Sequence, residues 1–268
     1  MKTFKNLQKL VFIAFLAIAF VSCDDDDEQI TPEPMTNSIA DFVVANQDNY
    51  SSLLAALQKA DLVETLQGEG PFTVFAPDNA AFAAFLTANN FNSLDDVPVA
   101  ALKEILLNHV VSGSVQSGGL STGYIQTLST ATPNMANMSM YVDTSNGVKL
   151  NGVSGVVGPD NMVDNGVIHL VDNVIGLPTI VTFATADSSF STLVAALTRD
   201  DQPDFVTILS TATESDPAPF TVFAPTNDAF GDLLTELNAA GLDDIDGATL
   251  TATLFHHVVG GANVVAAQ

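Results

Sequence analysis

A chain of 268 residues, 47% of them apolar, is long enough for two domains of ordinary size, each with its own core. Seven basic residues face 31 acidic ones, a net charge of −24, and a surface this acidic repels phosphate backbones, which excludes nucleic-acid binding as a function class. The single cysteine excludes disulfide stapling and CxxC redox chemistry.

The N-terminus reads as a sorting signal. Lys2, Lys5 and Lys9 precede an unbroken apolar run over residues 10–21. As a helix that run spans about 18 Å, against about 30 Å for a bilayer core, so it is a signal-peptide h-region and not a membrane span. It ends at Val21-Ser22-Cys23, and Cys23 resembles the acylated cysteine of the bacterial lipoprotein box, with Phe20 where Leu is usual. The expected organisation is a lipoprotein signal peptide over 1–22 and an acidic, Pro-rich tether over 23–36, with the membrane as a partner through lipid on Cys23. Several acyl chains make such an attachment stable. Removing residues 1–22 leaves four basic and 31 acidic residues, a net charge of −27. The acidic run at 24–28 admits two readings. One is a solvated spacer; the other is a resemblance to the acidic export signal that sends lipoproteins of one Gram-negative phylum to the outer face of the outer membrane. The second places the chain at the bacterial outer membrane, lipid-anchored and exposed at the cell surface.

From Asn37 onward helical and strand patterns alternate. Residues 39–45 and 50–66 are rich in Ala and Leu, with Leu53, Leu54 and Leu57 at amphipathic spacing, and 68–71 ends the second helix. Residues 72–76 predict a buried strand that stops at Pro77, after which Asp78 or Asn79 caps a short helix over 80–86. Asp95 and Asp96 precede a helix predicted over 99–110, which places Leu102, Ile105, Leu106 and His109 on one face. Residues 138–143 and 148–150 form a hairpin through Asn146-Gly147. Strands over 153–157 and 166–172 follow, the last apolar on both faces and therefore interior. Helices come early and most of the sheet late, so the class is α+β.

The chain then repeats itself. GPFTVFAPDNAAF at 70–82 returns as APFTVFAPTNDAF at 218–230, and LLNHVVSG at 106–113 returns as LFHHVVGG at 254–261, both 148 residues on. YSSLLAAL at 50–57 returns as FSTLVAAL at 190–197, only 140 residues on, which places an eight-residue insertion near TRDDQPDF. Three matches in order mark a duplicated domain. By the longer offset Gly176 maps to position 324, about 56 residues past Gln268, so either the sequence is a fragment or its second copy is degenerate. In both cases the second FTVFAP strand offers an unpaired edge.

FTVFAPDNAAF, LLNHVV and GVIHLVDNVIG together resemble the fasciclin domain. The resemblance covers residues 37–178 as a first domain and 179–268 as a second, C-terminally incomplete one. It implies a β-sandwich or wedge with helices packed around it, and an extracellular or surface-attached protein that meets a protein or glycan ligand in adhesion. It also implies no catalysis and no cofactor. In the family the histidine at the position of His109 and His257 commonly follows a Tyr, and that pair is linked to adhesion. Here Asn108 and His256 stand in the place of the Tyr, so Asn108, His109, His256 and His257 are the candidate interaction or core positions.

Four histidines are the candidates for base or metal chemistry. His109 and His257 read as buried structural imidazoles, and His169, on an interior strand, as structural too. His256 and His257 are helical neighbours that point about 100° apart, a poor arrangement for one zinc ion. Residues 243–247 have the flavour of a calcium loop, but Leu242 stands at its first ligand position; Asp95-Asp96 and Asp243-Asp244 read instead as carboxylates at helix N-termini. No nucleophile, P-loop or dinucleotide pattern occurs, so neither a catalytic nor a metal residue is expected. The expectation is a surface-anchored, non-enzymatic adhesion or interaction lipoprotein. The rival is a glycan- or nutrient-capturing envelope lipoprotein, for which no Trp and three Tyr supply few stacking rings.

Overall fold

The structure, a computed structural model, describes residues 37–131, 135–211 and 216–265, all in the second of two compact units into which the chain divides. The signal peptide, Cys23 and the tether lie outside the described residues.

Ser38 and Asp41 form a reciprocal capping box that starts α1 (Ile39–Ala45). One long helix was expected next; instead α2 (Gln47–Lys59) and α3 (Val63–Gln67) flank Asp61, whose φ of 56° is left-handed and cannot continue a helix. β1 (Phe72–Pro77) runs into the core. Asp78, not Asn79, then caps α4 (Asn79–Ala88), accepting from the Ala81 amide at 2.7 Å. Asn79 has another task. Its Oδ1 accepts from the Ser52 amide at 2.9 Å and its Nδ2 donates to the Asp48 carbonyl at 3.0 Å, which ties the turn to α2. α5 (Val99–Leu107) ends three residues before the predicted helix does. Val110 and Val111 leave the helix because they pair with β1 as β2 (Val110–Ser112), where β-branched side chains fit a pleated strand. His109 therefore sits in a helix-to-strand corner and not on the helix face.

β3 (Gly123–Gln126), which the sequence pattern does not announce, is followed by β4 (Ser139–Asp143), β5 (Lys149–Leu150), β6 (Ser154–Val163) and β7 (Gly166–Val171). The seven strands form one sheet in the order β2-β1-β7-β6-β5-β4-β3. β1 and β7 run parallel, and the other neighbours are antiparallel. β7 is interior, as its two apolar faces predict. β6 shifts register twice against β7, and the sheet folds over there, so Phe75, Val111 and Val171 of one half pack on Met140, Val142 and Leu150 of the other. On the opposite face Val74 and Ile168 meet a helical layer that includes Val43, Leu53, Leu57 and Leu102. This is an α+β wedge with helices around it.

The second copy contains α6 (Ile180–Ala186), α7 (Ser191–Leu197), α8 (Phe205–Leu209), β8 (Phe220–Val222), α9 (Asn227–Leu237), α10 (Gly247–His256) and β9 (Val258–Gly260). Its register repeats the first copy residue for residue: Phe220 faces Gly260 where Phe72 faces Ser112. Two polar braces repeat as well. Asn227 accepts from the Thr192 amide and donates to the Ser188 carbonyl, both at 2.9 Å, as Asn79 does. Lys59 donates to the carbonyls of Leu94, Asp95 and Val97 at 2.7–2.9 Å, and Arg199 to those of Leu242 and Ile245 at 2.5 and 3.0 Å. Each copy thus spends one cation on orphan carbonyls of the turn before its last helix. Among the described residues no single helix is long and apolar enough to cross a membrane.

Candidate functional site

The corner between α5 and β2 is built from Asn108 and His109, both buried. Pairing of β2 with β1 fixes the corner, since Phe75 donates its amide to the His109 carbonyl at 2.9 Å. The Nε2 of His109 lies 2.9 Å from the Ile175 amide, which can only donate, so Nε2 is the acceptor. The ring proton is then on Nδ1 and is donated to the Ile105 carbonyl at 2.8 Å. Burial pushes the pKa of this imidazole down to about 4, and the bond to Ile105 opposes that shift only in part. Asn108 donates from Nδ2 to the Gly176 carbonyl at 3.0 Å and accepts from the Thr127 hydroxyl at 3.1 Å. Two consecutive side chains therefore clamp Ile175 and Gly176, the segment that leads out of the first copy.

The second corner differs. His257 is the C-cap of α10, half-buried, with Nδ1 2.9 Å from the Phe223 carbonyl. Its Nε2 has no hydrogen-bond partner among the described residues, and His256 beside it is exposed. No group of three His, Cys, Asp or Glu able to hold a metal ion occurs among the described residues. His169 is buried against Phe75, ring centroids 5.5 Å apart, with the Val115 carbonyl 2.9 Å from Nε2 and the Asp160 amide 3.2 Å from Nδ1. Bonds from the hydroxyl and amide of Ser117 hold the Asp160 carboxyl below its ordinary range.

The acidic pairs close turns of their own. Asp95 and Asp96 do not cap α5, whose N-cap is Pro98; Asp96 accepts instead from the amides of Asn92 and Ser93 at 2.9 and 3.2 Å. Asp246 caps α10 through the Thr249 amide at 3.0 Å, and Asp244 accepts from the Ala240 amide at 2.7 Å. Sequence reasoning missed an aromatic junction. Tyr124 donates to Asp187 at 3.0 Å, and its ring lies 5.1 Å from Tyr141 and 5.6 Å from Phe183. Burial and the Asp187 carboxylate raise the Tyr124 pKa well above the ordinary tyrosine range. Only the fold brings β3 to the start of the second copy, so no local pattern signals this contact.

The fasciclin domain model matches residues 48–178 and 188–268, taking in both corners and both FTVFAP strands. The chain belongs to the fasciclin domain family. Over 134 residues the chain is 38% identical to Protein sll1483 of a Synechocystis species, a match that covers 50% of this chain and 70% of that one. Periostin from Homo sapiens is 29% identical over 199 residues, covering 73% of this chain and 22% of periostin. Among solved structures, a fasciclin domain pair from the insect cell adhesion molecule Fasciclin I aligns with a TM-score of 0.46 at 18% identity, over 83% of this chain and 72% of that one.

Proposed function

We propose that this fasciclin-domain chain is a lipoprotein of the bacterial outer membrane, held by lipid on Cys23 and displayed at the cell surface as a non-enzymatic adhesion or interaction module. Its ligand is an extracellular protein or a glycan. The observation that carries this reading is the membership of both copies in one family, whose domains, by the resemblance set out above, serve adhesion without catalysis. The inward hydrogen bonding of Asn108, His109 and His169 supports the non-enzymatic part of this reading, because those side chains are committed to partners inside the fold. Two measurements test it. A fatty-acid probe fed to expressing cells should label the wild type and leave Cys23→Ala unlabelled; equal labelling removes the anchor. The soluble mature protein should bind at least one class among arrayed glycans, matrix proteins and cell envelopes, and binding to none removes the adhesive role.

A further inference from the structure

The first copy contains three Asn-Gly pairs, which begin at Asn146, Asn151 and Asn165. Glycine has no Cβ to keep its backbone nitrogen away from the carboxamide of the residue before it. Wherever the backbone is free to turn, that nitrogen can reach the asparagine Cγ and close a cyclic imide. The fold decides which of the three pairs has this freedom.

Two pairs are locked. Asn165 is buried; its Oδ1 accepts from the Ile39 amide at 2.9 Å, and its Nδ2 donates to the carbonyls of Leu66 and Gly68, both at 2.8 Å. Gly166 beside it is wedged against the Phe72 carbonyl. Asn151 is buried as well. Its Oδ1 accepts from the Tyr141 amide and its own amide donates to the Tyr141 carbonyl, both at 2.8 Å, while a Cβ on Gly152 would lie 3.1 Å from the Ala186 methyl group. Asn146 is the opposite case. It is exposed in the turn between β4 and β5, and its carboxamide has no hydrogen-bond partner among the described residues. Nothing lies within 4 Å of a Cβ built on Gly147, and β5 ties the turn down through two paired residues, Lys149 and Leu150.

We propose that Asn146 is a site of self-modification in the folded chain: it deamidates through a succinimide, whereas Asn151 and Asn165 are held back until the fold opens. Hydroxide removes the Gly147 amide proton, and the nitrogen attacks Cγ of Asn146. The N–Cγ bond forms, the Cγ–Nδ2 bond breaks, and Nδ2 leaves as ammonia with a proton from water. Water then opens the imide at either carbonyl and leaves aspartate or isoaspartate at position 146. One water is consumed and one ammonia released, with no change of oxidation state. Each event adds a negative charge to a chain already at −24, and isoaspartate also lengthens the main chain of the turn by a methylene. The hairpin thus records how long the folded molecule has existed. This chemistry does not depend on where the chain is displayed, so it stands or falls apart from the lipoprotein reading.

The full chain is aged in neutral buffer, then unfolded and cut with pepsin in acid, and the three Asn-Gly sites are followed by mass and fragmentation. A deamidated site is heavier by the difference between a hydroxyl and an amino group. Asn146 should convert at least about tenfold faster than Asn151 or Asn165, because the buried pairs react only in locally opened molecules. In denaturant the three rates should converge, since glycine follows each asparagine. Asn146→Gln should abolish conversion at position 146 and leave the other two sites unchanged. An isoaspartate-specific methyltransferase should label the aged wild type and not that variant. Conversion of Asn151 or Asn165 as fast as Asn146 in the folded chain overturns the proposal. So does an Asn146 that stays intact, or a rate order that persists in denaturant, because sequence neighbours and not the fold would then set the rates.

Discussion

His109 gives the first copy a proton-linked weakness. The unfolded imidazole titrates near 6.5 and the folded one near 4, so between these values the unfolded chain binds the extra proton and acid favours unfolding. The contribution of His109 is whole above pH 6.5 and is lost as pH falls toward 4, by at most about 3 kcal/mol. Carboxyls held below 3.8, such as Asp160 and Asp246, lose their contribution only at lower pH, so the two windows separate. Denaturation of the wild type and His109→Gln between about pH 7 and 4 should show a slope in the first that the second lacks. At neutral pH, His109→Ala should cost about 1–3 kcal/mol, from an orphaned Ile175 amide and a cavity. An unchanged melting temperature in that variant would count against the clamp.

At the level of elements, the parallel pair β1 and β7 begins with a close approach. A Cβ on Gly166, whose φ is +156°, would lie 2.0 Å from the Phe72 carbonyl oxygen, so Gly166→Ala should destabilise the first copy by about 3 kcal/mol or more. Gly231 lies within α9 with open space around it, and Gly231→Ala should stabilise that helix by about 0.5–1 kcal/mol. Chemical denaturation of both variants tests the contrast. β1, β7 and a polar cap at Asp78 or Asn79 were legible in the sequence because their causes are local: β-branched runs, a proline stop, a short polar side chain before a helix. The end of α5 was not, since Val110 and Val111 continue the helical apolar period and only pairing with β1 draws them into a strand. β3 has four residues and begins with glycine, too little pattern for a strand. The Asn79 and Lys59 braces reach partners 27 to 38 residues away, so their residue types alone said nothing of their roles. That His109 and His257 hold equivalent repeat positions was legible in the sequence, but not that one corner is clamped on Ile175 and the other is half-buried.

For the whole molecule, the two copies differ in what they can hold together alone. Residues 37–178 contain both packed faces and the seven-stranded sheet, so expressed separately they should melt cooperatively. Residues 179–268 have one helical core and a two-stranded sheet among the described residues, and net stability is normally only about 5–15 kcal/mol. That segment should show no sharp transition by calorimetry, and a cooperative melt from its monomer would contradict the expectation. The placing of the few cations reaches further than stability. The heads of Lys59 and Arg199 are fixed on turn carbonyls, Lys103 lies inside α5 and Lys149 inside β5. A protease that cuts after Lys or Arg needs an extended loop and a free basic side chain for its specificity pocket. Among the described residues the folded chain presents no such pair, so the domains should survive a trypsin-rich fluid that digests ordinary surface proteins, and become cleavable only when they unfold.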